Sequence, residues 1–161
     1  NQFQFKKYIM GQDNKIVIIN GPNLNLLGKR EPEHYGDKTL DEIRVACDNV
    51  AREYSINIDF FQSNDESEII DLIQSTAESH GIIINAGAYT HTSIAIHDAL
   101  KTSKSPSIEV HLSNIHRREE FRHKSFLSNV VNGIIIGLSD HGYELAVHAM
   151  AKLMRISKKN G

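Results

Sequence analysis

The sequence predicts an α/β fold, a doubly wound parallel sheet of five strands with helices on both faces. Strand and helix patterns alternate along the chain. Most of the strand segments are continuous apolar runs, which is typical of parallel strands covered on both faces. The length of 161 residues fits one domain of ordinary size.

The predicted strands are short runs rich in β-branched and aromatic residues. Asn20, Gly21 and Pro22 follow the first run and predict a loop at the end of a buried strand. The last run is interrupted by Asn132 and Gly133. The five segments are Ile16–Ile19, Ile56–Gln62, Ile82–Asn85, Pro106–Val110 and Val130–Ile136.

Helices are predicted where apolar residues recur at intervals of three or four. Thr39 and Glu42 have the spacing of a capping box and start the first helix. The stretch 21–38 is rich in glycine and proline, so it is predicted to form a long loop without a helix, and such loops are often functional. This succession of elements fits a flavodoxin-like sheet. The remaining helices are predicted over Glu66–Ser79, Thr92–Thr102 and Asp140–Ile156.

A single catalytic domain is expected over residues 15–161. Residues 1–14 are expected to be an N-terminal extension or a remnant of recombinant expression, with Met10 as the natural start. They lack the apolar segment of a signal peptide, and no run of about 18 apolar residues predicts a membrane span. The single cysteine, Cys47, indicates a reducing compartment. We therefore expect a cytoplasmic protein.

Charge and motifs exclude several classes of site. A net charge of −2 argues against a general nucleic-acid binder. The sequence contains no dinucleotide-binding glycine fingerprint and no phosphate-binding P-loop. Nine histidines invite a zinc site, but no H-E-x-x-H motif occurs, so we expect no metal.

Polar side chains follow three predicted strands at the point where each strand ends. Because parallel strands end at the same edge of a sheet, these side chains should form one rim. Amides, imidazoles and guanidinium groups together suit a small, oxygen-rich, anionic ligand. The rim residues are Asn20, Asn23, Arg30 and Tyr35, then Asn85, Tyr89 and His91, then His111, Ser113, Asn114, Arg117, Arg118 and Arg122.

Each of these residues also has a structural explanation. His111 fits a half-buried imidazole at a strand end, and the charged run Arg117–Glu120 fits a solvated face. Tyr35 fits a packing anchor, since a tyrosine hydroxyl ordinarily keeps its proton at neutral pH. A nearby guanidinium would favour the phenolate, and Arg30 lies in the same loop.

Three spaced blocks nevertheless resemble the type II 3-dehydroquinate dehydratase family. They are Gly21–Pro32 followed by Tyr35-Gly36, Asn85–Ser93, and Ile108–His116 followed by Arg118–Arg122. The resemblance extends from Lys15 to about Lys158. It implies dehydration of 3-dehydroquinate to 3-dehydroshikimate in the shikimate pathway, without metal, nucleotide or Schiff base. The elimination would be anti and pass through an enolate. The resemblance also implies a homododecamer built from trimers.

The resemblance assigns roles to individual residues. Tyr35 matches the tyrosinate base, and Arg30 matches the arginine that favours the tyrosinate and stabilises developing charge. Asn23 matches the residue that holds the enolate oxygen through a water. His111 matches the general acid, supported by Glu109. The matched substrate-binding residues are Asn85, His91, Leu112, Ser113, Arg122 and, from a neighbouring subunit, Asp98.

Two positions depart from the family pattern. Ala86 stands where proline is common, and His97, beside Asp98, stands where arginine or lysine is frequent. His97 therefore bears on the contact between subunits. The alternative function is a flavodoxin-like ligand-binding or regulatory module without catalysis, in which the Tyr35 loop is structural.

Overall fold

The computed structural model of the protein describes residues 14–29, 32–156 and 158. The expected N-terminal extension, Asn1–Asn14, lies outside the described residues except for Asn14, and Arg30 lies outside them as well. Within these ranges, no helix is long and apolar enough to cross a membrane.

The strands form one parallel sheet in the order β2-β1-β3-β4-β5, counting along the chain. The winding reverses between the first and third strands, and in open sheets of this kind ligands bind at the carboxyl ends of the strands beside the reversal. The predicted doubly wound sheet is therefore confirmed. The strands are β1 (Lys15–Asn20), β2 (Asn57–Gln62), β3 (Gly81–Asn85), β4 (Ser107–His111) and β5 (Gly133–Ile136).

Helices cover both faces of the sheet, which explains the continuous apolar runs. Neighbouring residues of β3 point to opposite faces, so Ile83 packs in one core cluster and Ile82 and Ile84 in the other. Cys47 is fully buried in the first cluster, and burial raises the pKa of its thiol to about 12. The helices of the described chain are α1 (Pro32–Tyr35), α2 (Leu40–Arg52), α3 (Glu66–Ser75), α4 (Ile94–Thr102) and α5 (His141–Leu153).

The capping box that starts α2 is confirmed. The Thr39 hydroxyl accepts a hydrogen bond from the Glu42 amide at 3.3 Å, and the Glu42 carboxylate accepts one from the Thr39 amide at 2.8 Å. The prediction of a helix-free loop before it was wrong, because a 3₁₀ turn at Leu24–Leu26 and α1 both lie there. Pro32 does not prevent α1, since the first turn of a helix needs no donor from its first residue.

Several further boundaries differ from the predictions, since α4 begins at Ile94 rather than Thr92 and α5 spans His141–Leu153 rather than Asp140–Ile156. α3 ends at Ser75 rather than Ser79, because the hydroxyls of Ser75 and Thr76 both donate to the Leu72 carbonyl and satisfy it at the helix end. β5 starts only at Gly133, since the preceding residues form turns.

Candidate active site

A cleft opens at the carboxyl ends of β1, β3 and β4, beside the reversal in winding. Residues from three separate segments of the sequence meet there. Arg118, which was not assigned a role from the sequence, lies among them. The predicted site residues that line the cleft are Asn23, Tyr35, Asn85, His91, His111, Leu112, Ser113 and Arg122.

The remaining predicted residues lie elsewhere. Glu109 is completely buried behind His111. Asp98 is exposed on α4, along a groove between α3 and α4, and does not line the cleft of its own chain. Asn20 is buried in a hydrogen-bond network at the end of β1. Arg30 falls outside the described residues.

Tyr35, the last residue of α1, is held by a guanidinium group from a distant part of the chain. Arg118 Nη1 donates a hydrogen bond of 2.8 Å to the Tyr35 hydroxyl and one of 3.2 Å to Ser113 Oγ. The Arg118 guanidinium carbon lies 5.1 Å from the centre of the Tyr35 ring. The Tyr35 hydroxyl oxygen therefore accepts a hydrogen bond from a charged donor, the stronger kind of hydrogen bond.

His111 and Glu109 form a buried pair on one face of β4, as their spacing of two residues requires. The Nε2 atom of His111 lies 2.7 Å from Glu109 Oε1. Burial alone would raise the pKa of the Glu109 carboxyl, but hydrogen bonds from His111, Ser125 and Ser128 outweigh it and hold the pKa below its ordinary value. Glu109 accepts the proton on Nε2 of His111, which leaves Nδ1 as the ring nitrogen available to a ligand in the cleft.

His91 lies at the end of a 3₁₀ turn, Gly87–His91, and stacks beside His111 with ring centres 6.4 Å apart. Its Nδ1 atom is 2.8 Å from the Lys124 carbonyl oxygen, to which only a protonated Nδ1 can donate. Burial is the main cause that lowers the pKa of His91; the hydrogen bond to the Lys124 carbonyl acts in the opposite direction, and the neighbouring His111 and Arg122 lower the pKa further. Neutral His91 therefore offers Nε2 as an acceptor for a ligand hydroxyl.

Asn23 enters the cleft from a strained loop. Its φ of 67° lies in the left-handed region, and its backbone N–H donates to Asn64 Oδ1 at 3.0 Å. The same Asn64 oxygen accepts from Gln62 Nε2 at 3.2 Å, and the Asn64 carbonyl accepts from the Tyr89 hydroxyl at 2.8 Å. Asn64 thus ties the loop after β1 to the segment after β3.

Asn85 lines the cleft while its side chain is part of a buried network. Its Nδ2 atom donates to the Tyr143 hydroxyl at 2.9 Å, and that hydroxyl donates to Asn20 Oδ1 at 2.6 Å. Asn20 and Asn85 are register partners in β1 and β3, which places both amides at the reversal in winding. The network fixes the floor of the cleft.

The cleft has the composition of an acid–base site for an organic anion. A tyrosine beside a cation and a histidine beside a carboxylate can serve as base and acid. Arg122 is half-buried, and its Nε atom donates to Glu119 Oε2 at 2.8 Å. It adds a second guanidinium group to the cleft for a ligand carboxylate. Among the residues that the structure describes, no group of three or more histidine, cysteine, aspartate or glutamate side chains could hold a metal ion.

The family described as dehydroquinase class II matches residues 14–151 of the sequence. The chain belongs to this family. The fold and the resemblance predicted from the sequence are thereby confirmed, and a class II dehydroquinase is an enzyme, a hydro-lyase. The alternative of a non-catalytic binding module is not supported.

Individual relatives are similar to this chain over nearly their whole length. A 3-dehydroquinate dehydratase of Prochlorococcus marinus subsp. pastoris is 55% identical over 143 residues, which are 88% of this chain and 98% of the relative. The 3-dehydroquinate dehydratase 1 of Agrobacterium fabrum is 49% identical over 141 residues, 87% of this chain and 97% of the relative. The crystal structure of type II dehydroquinase from Propionibacterium acnes superposes with a TM-score of 0.83 at 41% identity, covering 86% of this chain and 97% of that one.

Several residues with contacts to the site were missed from the sequence. Arg118 was named among the rim residues and in the third block of the resemblance but was given no role, while Asn64, Ser125 and Ser128 were not singled out. A signal existed for Asn64, since it follows β2, and β2 ends at the same edge of the sheet as β1. For the two serines no sequence pattern indicated a role.

Proposed function

We propose that the chain dehydrates 3-dehydroquinate to 3-dehydroshikimate by anti elimination through an enolate, with Tyr35 as the base and His111 as the general acid. The overall activity, a step of the shikimate pathway, is that of the family. One observation carries the mechanism. Tyr35 and His111 line the same cleft, and each is hydrogen-bonded to a group of the charge that its role requires, Arg118 for the base and Glu109 for the acid.

In the first step, Tyr35 acts as tyrosinate and removes the proton beside the ketone of the substrate. The electron pair of the broken C–H bond moves to the ketone oxygen and forms the enolate. Arg118 stabilises the tyrosinate by a direct hydrogen bond. We assign Arg30 the same kind of support, from its place in the loop before Tyr35. Asn23 holds the enolate oxygen through a water.

In the second step, the enolate collapses to the conjugated enone and the C–O bond to the leaving hydroxyl breaks. In this step His111 reacts as the imidazolium: its Nδ1 proton passes to the leaving hydroxyl, which departs as water, and its Nε2 proton stays hydrogen-bonded to Glu109, which supports the histidine from the buried side. The substrate carboxylate and hydroxyls are bound by Asn85, His91, Leu112, Ser113 and Arg122. All five line the cleft.

The proposed assembly is a homododecamer built from trimers, in which Asp98 contacts the substrate of a neighbouring subunit. Two features support this role for Asp98. Its side chain is exposed on α4, away from the cleft of its own chain, and Ile94 on the same helix is 60% exposed. We also propose a cytoplasmic location, to which the unpaired Cys47 is suited.

The test is the ultraviolet absorbance of the enone formed when the protein is mixed with 3-dehydroquinate. We expect turnover by the unaltered protein and none by Tyr35→Phe, which lacks the hydroxyl that takes the proton. The variant should keep its melting temperature and still bind the substrate, because the ring and its packing remain. Near-normal rates for Tyr35→Phe would contradict the tyrosinate mechanism, and no absorbance change with unaltered protein would contradict the activity.

A further inference from the structure

We infer that Ser125 and Ser128 are positioning residues for the general acid, acting on His111 through Glu109. The inference rests on the proposed role of His111. It comes from the hydrogen bonds around Glu109, which include two donors that neither the fold nor the mechanism above requires.

Glu109 is completely buried, so its carboxylate depends on donors within the protein. His111 supplies one, to Oε1. Ser125 Oγ donates to the same oxygen at 2.7 Å, and Ser128 Oγ donates to Oε2 at 2.7 Å. Both carboxylate oxygens are therefore held, which fixes the plane of the carboxylate and its direction toward His111.

The direction of the Ser125 hydrogen bond is determined by its other partners. Its oxygen accepts from the backbone amides of Leu127 at 3.0 Å and Ser128 at 3.1 Å. With both acceptor positions of the hydroxyl used in this way, its proton points to Glu109. Ser125 is thus a donor to the carboxylate in every state of the site, whether His111 is neutral or charged.

The segment that carries the serines, Lys124–Ser128, is itself anchored beside the cleft. The Lys124 carbonyl accepts from His91, and the Phe126 carbonyl lies 2.6 Å from His97 Nδ1. The Phe126 amide donates to the Thr90 carbonyl at 2.9 Å, and Leu127 is fully buried in the core. One segment therefore fixes His91 directly and His111 through Glu109.

This arrangement predicts that the serines affect protonation of the leaving group and leave proton abstraction by Tyr35 intact. The two steps can be measured separately. Enone absorbance reports complete elimination, whereas exchange of the substrate hydrogen beside the ketone for solvent deuterium, followed by NMR, reports abstraction. A merely structural role would lower both rates together.

The test compares Ser125→Ala and Ser128→Ala with the unaltered protein and with His111→Ala. We expect each serine variant to lower kcat on the order of tenfold with KM changed less than about twofold, as expected for loss of a hydrogen bond to a charged group. Deuterium exchange should continue at nearly the original rate in all three variants. Ser125→Thr and Ser128→Thr keep the hydroxyl and should restore most of kcat.

Ser105→Ala is the matched control. Ser105 is buried, and its hydroxyl likewise donates to an oxygen of the protein, the Ala77 carbonyl, but it lies outside the cleft and away from Glu109. This variant should leave both rates unchanged. Unaltered kcat in the two alanine variants, or an equal loss of exchange and elimination, would overturn the inference. Absence of enone formation by the unaltered protein would instead overturn the proposed function.

Discussion

Tyr35 is hydrogen-bonded to the positively charged Arg118, and His111 is hydrogen-bonded to the carboxylate of Glu109. These two contacts support the roles proposed for the tyrosine and the histidine. Arg30 was expected beside Tyr35 from its place in the same loop. The guanidinium group that the described structure places there belongs to Arg118, which also reaches Ser113. The described residue that carries this positive charge comes from a different segment, and the role expected for Arg30 stays a prediction.

Replacement of Arg118 should slow the reaction without removing the base. For Arg118→Met we expect kcat to fall about a hundredfold, the typical loss when one charge-stabilising donor is removed. Arg118→Lys should recover only part of this, because an ammonium group cannot reproduce a planar fork that reaches two hydroxyls. Arg44→Met, which removes a guanidinium paired with Asp41 and Asp48 on α2, should keep full activity. A kcat of Arg118→Met close to that of the unaltered protein would contradict the role given to Arg118.

His91 makes the stability of the protein depend on pH. Its pKa is lowered from an ordinary value of 6.5, so below that pH the unfolded chain binds more protons at this residue than the folded chain. The free energy of unfolding should therefore fall as the pH decreases from above 6.5 through the folded-state pKa. Urea unfolding over a series of pH values should show a smaller fall in the free energy of unfolding for His91→Asn than for the unaltered protein. His116→Asn is the control, because His116 is exposed. The same pH dependence of the free energy of unfolding in His91→Asn and in the unaltered protein would contradict this prediction.

The loops at the carboxyl ends of the strands are connected to one another as well as to their own strands. Asn64, after β2, binds the backbone of Asn23 after β1 and the side chain of Tyr89 after β3. A left-handed residue such as Asn23 needs such support, because its backbone conformation is unfavourable by itself. The end of β2 therefore supports the site without lining the cleft.

Loss of the Asn64 side chain should loosen Asn23. We expect kcat of Asn64→Ala to fall on the order of tenfold, since one hydrogen bond to a strained backbone is removed. Asn64→Asp should be less affected, because a carboxylate oxygen can accept the same two N–H groups. Asn57→Ala, at the opposite end of β2, is the control. Equal kcat values for Asn64→Ala and Asn64→Asp would show that the hydrogen-bond acceptor at position 64 does not affect kcat.

For the molecule as a whole, Asp98 is the feature that a single chain does not explain. It is exposed beside the groove between α3 and α4, while the cleft lies at the carboxyl edge of the sheet. The proposed assembly gives this residue its role, because a neighbouring subunit would bring a cleft to it. His97, beside it in sequence, points instead to the Phe126 carbonyl of its own chain.

Mixing two inactive proteins tests this assembly. Tyr35→Phe should lack the base but supply a normal Asp98, and Asp98→Ala should lack the shared residue but supply a normal Tyr35. After joint unfolding and refolding, mixed oligomers should contain complete clefts and regain enone formation that neither protein has alone. Refolded separately, the two variants should stay inactive. No recovery in oligomers of dodecamer size, measured by sedimentation, would show that Asp98 is not shared between subunits.

The sequence by itself determined the sheet, the capping box of α2 and the family, because these depend on local patterns and on blocks of adjacent residues. It also indicated which strand ends would meet, since parallel strands end at one edge. The tertiary structure decided the partners of the predicted residues. Arg118 and Tyr35 are 83 positions apart, Asn64 and Asn23 are 41 apart, and Ser128 and Glu109 are 19 apart. A hydrogen bond between two loops depends on how those loops pack together, and no periodicity in the sequence records that packing.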